Sequence, residues 1–197
     1  MSYLCGIDYG NQLKGTTVVC MYDENSGKIS LRTSEKKKNA DHFVKSLLND
    51  LQPKVVFLDA PLSLPMVYTK GFGSAADDFF FREADKSLKA MSPMFLGGLT
   101  ARAMRLKAEM FPIPFYETYP AAQARKMELQ EIGYKDKTTH IKAVVAQIQR
   151  SYPMFRLPIE FQNWHEVDAI LALIGAYRFI LGRHETFGNP VEGLIYL

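Results

Sequence analysis

Two cysteines in 197 residues are too few for a disulfide scaffold. Both Cys5 and Cys20 fall in apolar stretches that read as neighbouring strands, where cysteine behaves as a small buried hydrophobe. A reducing compartment is expected, without a bond between them. The opening residues, Met1-Ser2-Tyr3-Leu4-Cys5-Gly6-Ile7-Asp8, have no basic region and place an aspartate where a signal peptide would continue its apolar run. Export and membrane insertion are therefore not expected, and the cytoplasm is the default location. No strong excess of one charge is present either. A formal charge of +3 is too mild to argue for a polyanion partner from bulk electrostatics. The clearest basic cluster, Glu35-Lys36-Lys37-Lys38-Asn39, reads as a solvated turn more readily than as a phosphate contact. Repeats, low-complexity tracts and linkers are missing too, so one domain over residues 1–197 is expected, with a helical insertion at about 61–113.

What is present is the composition of a globular protein, 47% hydrophobic and 23% charged, in a chain long enough to bury a sizeable core. Three short β-prone runs, Tyr3 to Tyr9, Thr16 to Tyr22 and Lys28 to Thr33, are separated by turn chemistry and read as an antiparallel meander. Asp41 to Leu51 has helical spacing, with Phe43, Val44, Leu47, Leu48 and Leu51 on one stripe, and Pro53 closes it. The strand after it, Lys54 to Asp59, is nearly all apolar and fits a buried parallel strand, for which that helix is the crossover. Helices are expected near Asp77 to Ala90, Gly98 to Met110, Ala121 to Gln130, Thr138 to Ser151 and Asn163 to Leu181. A strand at Phe115 to Tyr119 and an extended tail at Glu192 to Leu197 complete an α/β chain that begins β-β-β-α-β.

Three carboxylates interrupt this pattern. Asp8 lies deep in an apolar strand, where an unpaired charge is costly. Asp59 ends the parallel strand, at the edge where open α/β sheets bind ligands. Asp168 lies on the last helix, followed at helical spacing by Ala172, Gly175 and Ala176, small residues that allow a close approach to the sheet. Crowded acids raise one another's pKa unless a cation neutralises them, and oxygen donors suit Mg²⁺ or Mn²⁺. Glu117 is a fourth candidate, and His165, one turn before Asp168, is a candidate proton donor. Each residue also has a structural reading. Asp59-Ala60-Pro61 can cap a turn, His165 and Glu166 can be polar residues at a helix start, and Asp8 can anchor the hairpin at Gly10.

Gly6-Ile7-Asp8, Phe57-Leu58-Asp59-Ala60-Pro61-Leu62-Ser63-Leu64-Pro65, Phe81-Arg82-Glu83-Ala84-Asp85, Tyr116-Glu117-Thr118-Tyr119-Pro120, Glu166-Val167-Asp168-Ala169 and Glu192-Gly193-Leu194-Ile195 together carry a resemblance over almost the whole chain. It resembles the ribonuclease H-like nucleases of the family filed as domain of unknown function four-two-nine. Gly6-Ile7-Asp8-Tyr9-Gly10 is more distantly similar to the Holliday-junction resolvase relatives. The resemblance implies a ribonuclease H-like fold with a mixed five-stranded sheet and an acidic site at Asp8, Asp59 and Asp168. It also implies Arg82, Asp85 and Glu117 as nearby pocket residues, of which Arg82 and Asp85 would bind substrate.

The expected function is a metal-dependent nuclease that hydrolyses phosphodiesters in DNA or RNA through a two-metal carboxylate site. In it Asp8, Asp59 and Asp168 hold Mg²⁺ or Mn²⁺, and Glu117 or His165 assists proton transfer. A homodimer is admitted as a partner arrangement. Two alternatives stand beside it. Asp8-Tyr9-Gly10 with Gly15-Thr16-Thr17 resembles a phosphate-binding hairpin of the actin and sugar-kinase folds, which implies a nucleotide-binding protein. The aromatic insertion, with Phe72, Phe79, Phe80, Phe81, Met91, Met94 and Phe95, instead suits a non-catalytic binding module, although such a stripe is more often core.

Overall fold

A computed structural model describes residues 2–73 and 77–197; part of the expected insertion, 74–76, lies outside them. Seven strands form one sheet in the order β3-β2-β1-β4-β5-β7-β6. β1 (Tyr3–Asp8), β2 (Val18–Asp23) and β3 (Ile29–Thr33) make the expected antiparallel meander. α1 (Ala40–Leu51), capped by the Asn39 side chain, crosses over to β4 (Val55–Asp59), which pairs parallel to β1. A mixed sheet flanked by helices is thus the observed architecture.

Between β4 and β5 (Phe115–Thr118) the chain leaves the sheet. It forms two short helices, α2 (Val67–Lys70) and α3 (Glu83–Leu88), then α4 (Pro93–Leu96) and the longer α5 (Gly98–Glu109). The helix expected over Asp77 to Ala90 is confined to the six residues of α3. Before it, Asp78 accepts hydrogen bonds from the Phe80 and Phe81 amides, an Asx-type turn that competes with helix. After β5 come α6 (Pro120–Lys126), α7 (Ile141–Ser151) and α8 (Trp164–Ile180).

The expected count of five strands is corrected to seven. The tail is a true strand, β7 (Gly193–Tyr196), parallel to β5, and its antiparallel partner β6 (Thr186–Asn189) was not legible. Thr-Phe-Gly-Asn is only four residues long and contains a glycine at positive φ. It lacks the alternation that marks a strand.

Strand parity sorts the side chains onto two faces. Leu4, Cys20, Val55 and Phe57 belong to the core under α8, whereas Cys5, Ile7, Val56 and Leu58 belong to the core under α1 and α5. Both cysteines are buried and unbonded, and the β1–β2 register sends them to opposite faces, since Cys5 opposes Met21 and Cys20 opposes Gly6. Among the described residues no helix is long and apolar enough to cross a membrane.

Candidate metal centre

Parity also decides which carboxylates meet. Asp8 and Asp59 are paired residues at the ends of the parallel strands β1 and β4. Each follows its strand's α8-facing residues at a spacing of two, Gly6 and Phe57 being the last before them, so both point toward α8. The helix comes close because β1 offers no side chain at Gly6. A Cβ there would sit 2.1 Å from the Leu173 nitrogen and 2.5 Å from the Ala169 oxygen. One turn farther along, Gly175 admits the Phe57 ring, 2.8 Å from where its own Cβ would stand. With α8 seated on the sheet, Asp168 reaches the same end, and one oxygen of each of Asp8, Asp59 and Asp168 lies within 4.8 Å of the others.

The three acids differ in what neutralises them. Asp168, buried, accepts from the Tyr134 hydroxyl at 2.5 Å and pairs with the Lys135 ammonium at 2.7 Å. Asp8 accepts from His165 Nδ1 at 2.7 Å, which leaves Nε2 without a partner among the described residues. Asp59 receives no hydrogen bond or ion pair among the described residues. Its carboxyl is pushed well above the ordinary aspartate value by burial first, then by Asp8 and Asp168. Burial also raises Asp8, against the bond from His165. That bond in turn lifts the His165 imidazole above its ordinary value, so the ring favours its charged form. Burial disfavours the Lys135 charge, but Asp168, Asp59 and Asp8 together outweigh it and raise its pKa.

Such a cluster can coordinate a divalent cation. The donors are all hard oxygens, and a half-buried carboxylate without a partner beside two buried ones is the arrangement a cation relieves. Asp8 and Asp59 line a cleft of about 380 Å³, together with Lys135, Asp85 and Glu117.

Glu117 does not join the trio. It pairs in register with Leu58, a residue of the opposite face, and so projects toward the helical segment between β4 and β5. There it meets Arg82. The guanidinium donates to Glu117 from Nη1 (2.7 Å) and Nη2 (2.6 Å), to Asp85 from Nη2 (2.7 Å) and Nε (3.1 Å), and to Ser63 Oγ from Nη1 (2.8 Å). All five N–H donors are spent inside the protein, and the side chain is fully buried. Burial disfavours the Arg82 charge, but the two carboxylates outweigh it and raise its pKa. The same burial raises Glu117 against the pull of Arg82. Arg82, expected to touch substrate, therefore occupies a holding place with no donor to spare. Asp85 is held by the same bonds but shows on the cleft wall.

Tyr134 and Lys135 were not anticipated. They follow Gly133 in a turn without periodicity, and Lys135 adopts a left-handed backbone, φ 60°. No local pattern ties them to Asp168, 34 residues beyond Tyr134.

No family model matches the chain, so the specific family it resembles is not matched, and no curated protein matches either. Among solved structures it is similar to T. thermophilus RuvC in complex with Holliday junction substrate. The identity there is 14%, over 93% of this chain and 98% of that one, with a TM-score of 0.46. A Fowlpox virus resolvase solved with substrate Holliday junction DNA is similar at 12% identity, over 91% of this chain and 97% of that one, with a TM-score of 0.35. These similarities are distant, and the functional reading stands on the geometry of the carboxylates.

Proposed function

We propose that the chain is a metal-dependent nuclease, a hydrolase that cleaves phosphodiesters in nucleic acid at the carboxylate cluster. The observation that carries this reading is the convergence of Asp8, Asp59 and Asp168 within 4.8 Å at the open end of two parallel strands. These three would hold Mg²⁺ or Mn²⁺. When bound, the cation lowers the pKa of a water and offsets charge developing on phosphoryl oxygens.

The chain's own groups supply the rest. His165 is about half exposed and engages Asp8 through Nδ1, so it presents Nε2 as the nitrogen from which a proton can pass to a leaving oxygen. Lys135 lines the cleft and keeps a positive charge beside the carboxylates, where it can meet a phosphate oxygen. Glu117, expected to help with proton transfer, is tied by Arg82 and by the Leu62 amide (2.8 Å). Its part in this reading is to fix the Asp59-Ala60-Pro61-Leu62 turn that carries the metal ligand. Arg82 and Asp85 position Glu117.

The nucleotide-binding alternative draws less support. The Thr16 and Thr17 hydroxyls accept from the Asn11 and Gly10 amides at 3.0 and 3.1 Å, closing the hairpin on itself. Amides occupied in this way are not presented to a phosphate.

The test is hydrolysis of labelled DNA and RNA strands with Mn²⁺ or Mg²⁺, wild type beside Asp8→Asn. The expected result is cleavage that needs the metal and falls by several orders of magnitude in the variant. Equal cleavage by both proteins would end the assignment.

A further inference from the structure

The cleft that Asp8 and Asp59 line has a second, apolar character. Ala90, Met91, Leu96 and Leu99 line it too, and Lys135 is the single cation among its described lining residues. The apolar side opens onto a set of large exposed side chains. Met91 is 60% exposed, Phe95, beside Leu96 on α4, is 63% exposed, and Phe80 is 51% exposed. Phe80 and Phe95 lie with ring centroids 5.6 Å apart and planes 34° apart, and Phe81 meets Phe95 edge-on at 5.7 Å. This surface is fixed in place. Ser92 caps α4 and its hydroxyl donates to the Phe80 carbonyl, while Thr100 Oγ1 donates to the Pro93 carbonyl at 2.7 Å.

A duplex is gripped by many cations along its phosphates. One lysine in the cleft cannot provide that, and paired, stacked bases expose little apolar face. A strand with an unpaired base has such a face, and apolar or aromatic side chains bind it without regard to sequence. The volume of about 380 Å³ lies at the lower end of the ~300–1,000 Å³ common for small-ligand sites, which suits one nucleotide.

We infer that the Met91–Leu96 wall is a subsite for a single unstacked nucleobase, so that the substrate is single-stranded nucleic acid, or an unpaired end or loop. Its base lies against the wall and its phosphodiester at the carboxylates. This deepens the nuclease reading and rests on it.

Three substrates of equal length test the inference with the full chain and Mn²⁺: a single-stranded oligonucleotide, the same strand in a perfect duplex, and a strand whose central nucleotides are abasic. Bis(p-nitrophenyl) phosphate serves as a substrate without a base. The expected result is a kcat/KM for the single strand about tenfold or more above that for the duplex and for the abasic segment. Met91→Asp, at an exposed position, removes most of that preference, chiefly through KM, and Met91→Leu restores it. Cleavage of duplex or abasic strand as efficiently as the single strand overturns the subsite, as does a preference unchanged in Met91→Asp. Should the small diester be hydrolysed while strandedness has no effect, the subsite fails and the nuclease reading survives. Hydrolysis of none of these substrates removes both.

Discussion

Asp59 is the residue on which the electrostatics turn. An acid whose pKa is raised by folding stabilises the fold fully below its ordinary value of about 3.9, and that contribution is lost as pH rises through the raised value. Burial and the neighbouring Asp8 and Asp168 place Asp59 in this class. The metal-free protein should therefore lose stability from this group between acid and neutral pH. Asp59→Asn should raise the melting temperature in EDTA at neutral pH and flatten its pH dependence, while abolishing the stabilisation that Mn²⁺ gives the wild type. An Asp59→Asn protein that melts lower than wild type in EDTA, or is still stabilised by Mn²⁺, would contradict this. Arg82 tests the opposite case, a buried charge whose partners are already present. Arg82→Met leaves Glu117 and Asp85 facing each other without their cation and is expected to cost about 3–5 kcal/mol in urea unfolding. A loss below about 1 kcal/mol would show that the pairing is dispensable. At this scale the sequence was informative where chemistry was out of place: a carboxylate within or at the end of an apolar strand is legible, and Asp8 and Asp59 were found that way. Tyr134 and Lys135 were not, because a tyrosine and a lysine in a polar turn look ordinary until the fold brings Asp168 to them.

Elements carry the next level, and the decisive one is the contact of α8 with β1. Its closeness depends on Gly6, where any Cβ would overlap the backbone of Ala169 and Leu173. Backbone cannot rotate away as a side chain can, so Gly6→Ala must push the helix off the strand. A destabilisation of about 3 kcal/mol or more is expected in thermal or urea unfolding, with weakened Mn²⁺ binding as Asp168 retreats. Wild-type stability and binding in Gly6→Ala would show that α8 is not held by this approach. The small residues after Asp168 announced a close helix, but the complementary glycine on the strand gains its meaning only once the two are paired. Parity explains the other half of the outcome. Asp8 and Asp59 share a face because their strands pair in register, and Glu117 faces away because β5 pairs Glu117 with Leu58. A strand can be read from its alternation, but the register that assigns each residue its face depends on pairing between distant segments. The helical segment before β5 was readable as helices, and the Asx turn at Asp78 shortened the first of the longer ones.

At the scale of the whole molecule, the meander, the crossover and the parallel strands place three acids from distant parts of the chain at one edge of the sheet. The β-β-β-α-β order and the final helix were visible in hydrophobic periodicity, which is why the general architecture was legible. The sheet's far edge was not, since β6 is held by pairing with β7 and by packing on α3 rather than by any pattern of its own. Everything functional follows from the claim that the convergent carboxylates share a cation. The most direct measurement is Mn²⁺ binding to the metal-free chain, followed by electron paramagnetic resonance of the free ion, for wild type, Asp8→Asn, Asp59→Asn and Asp168→Asn. Saturable binding in the wild type that is weakened at least tenfold by each substitution is the predicted result. Binding that survives all three, or a wild type that takes up no Mn²⁺ at neutral pH, would contradict it.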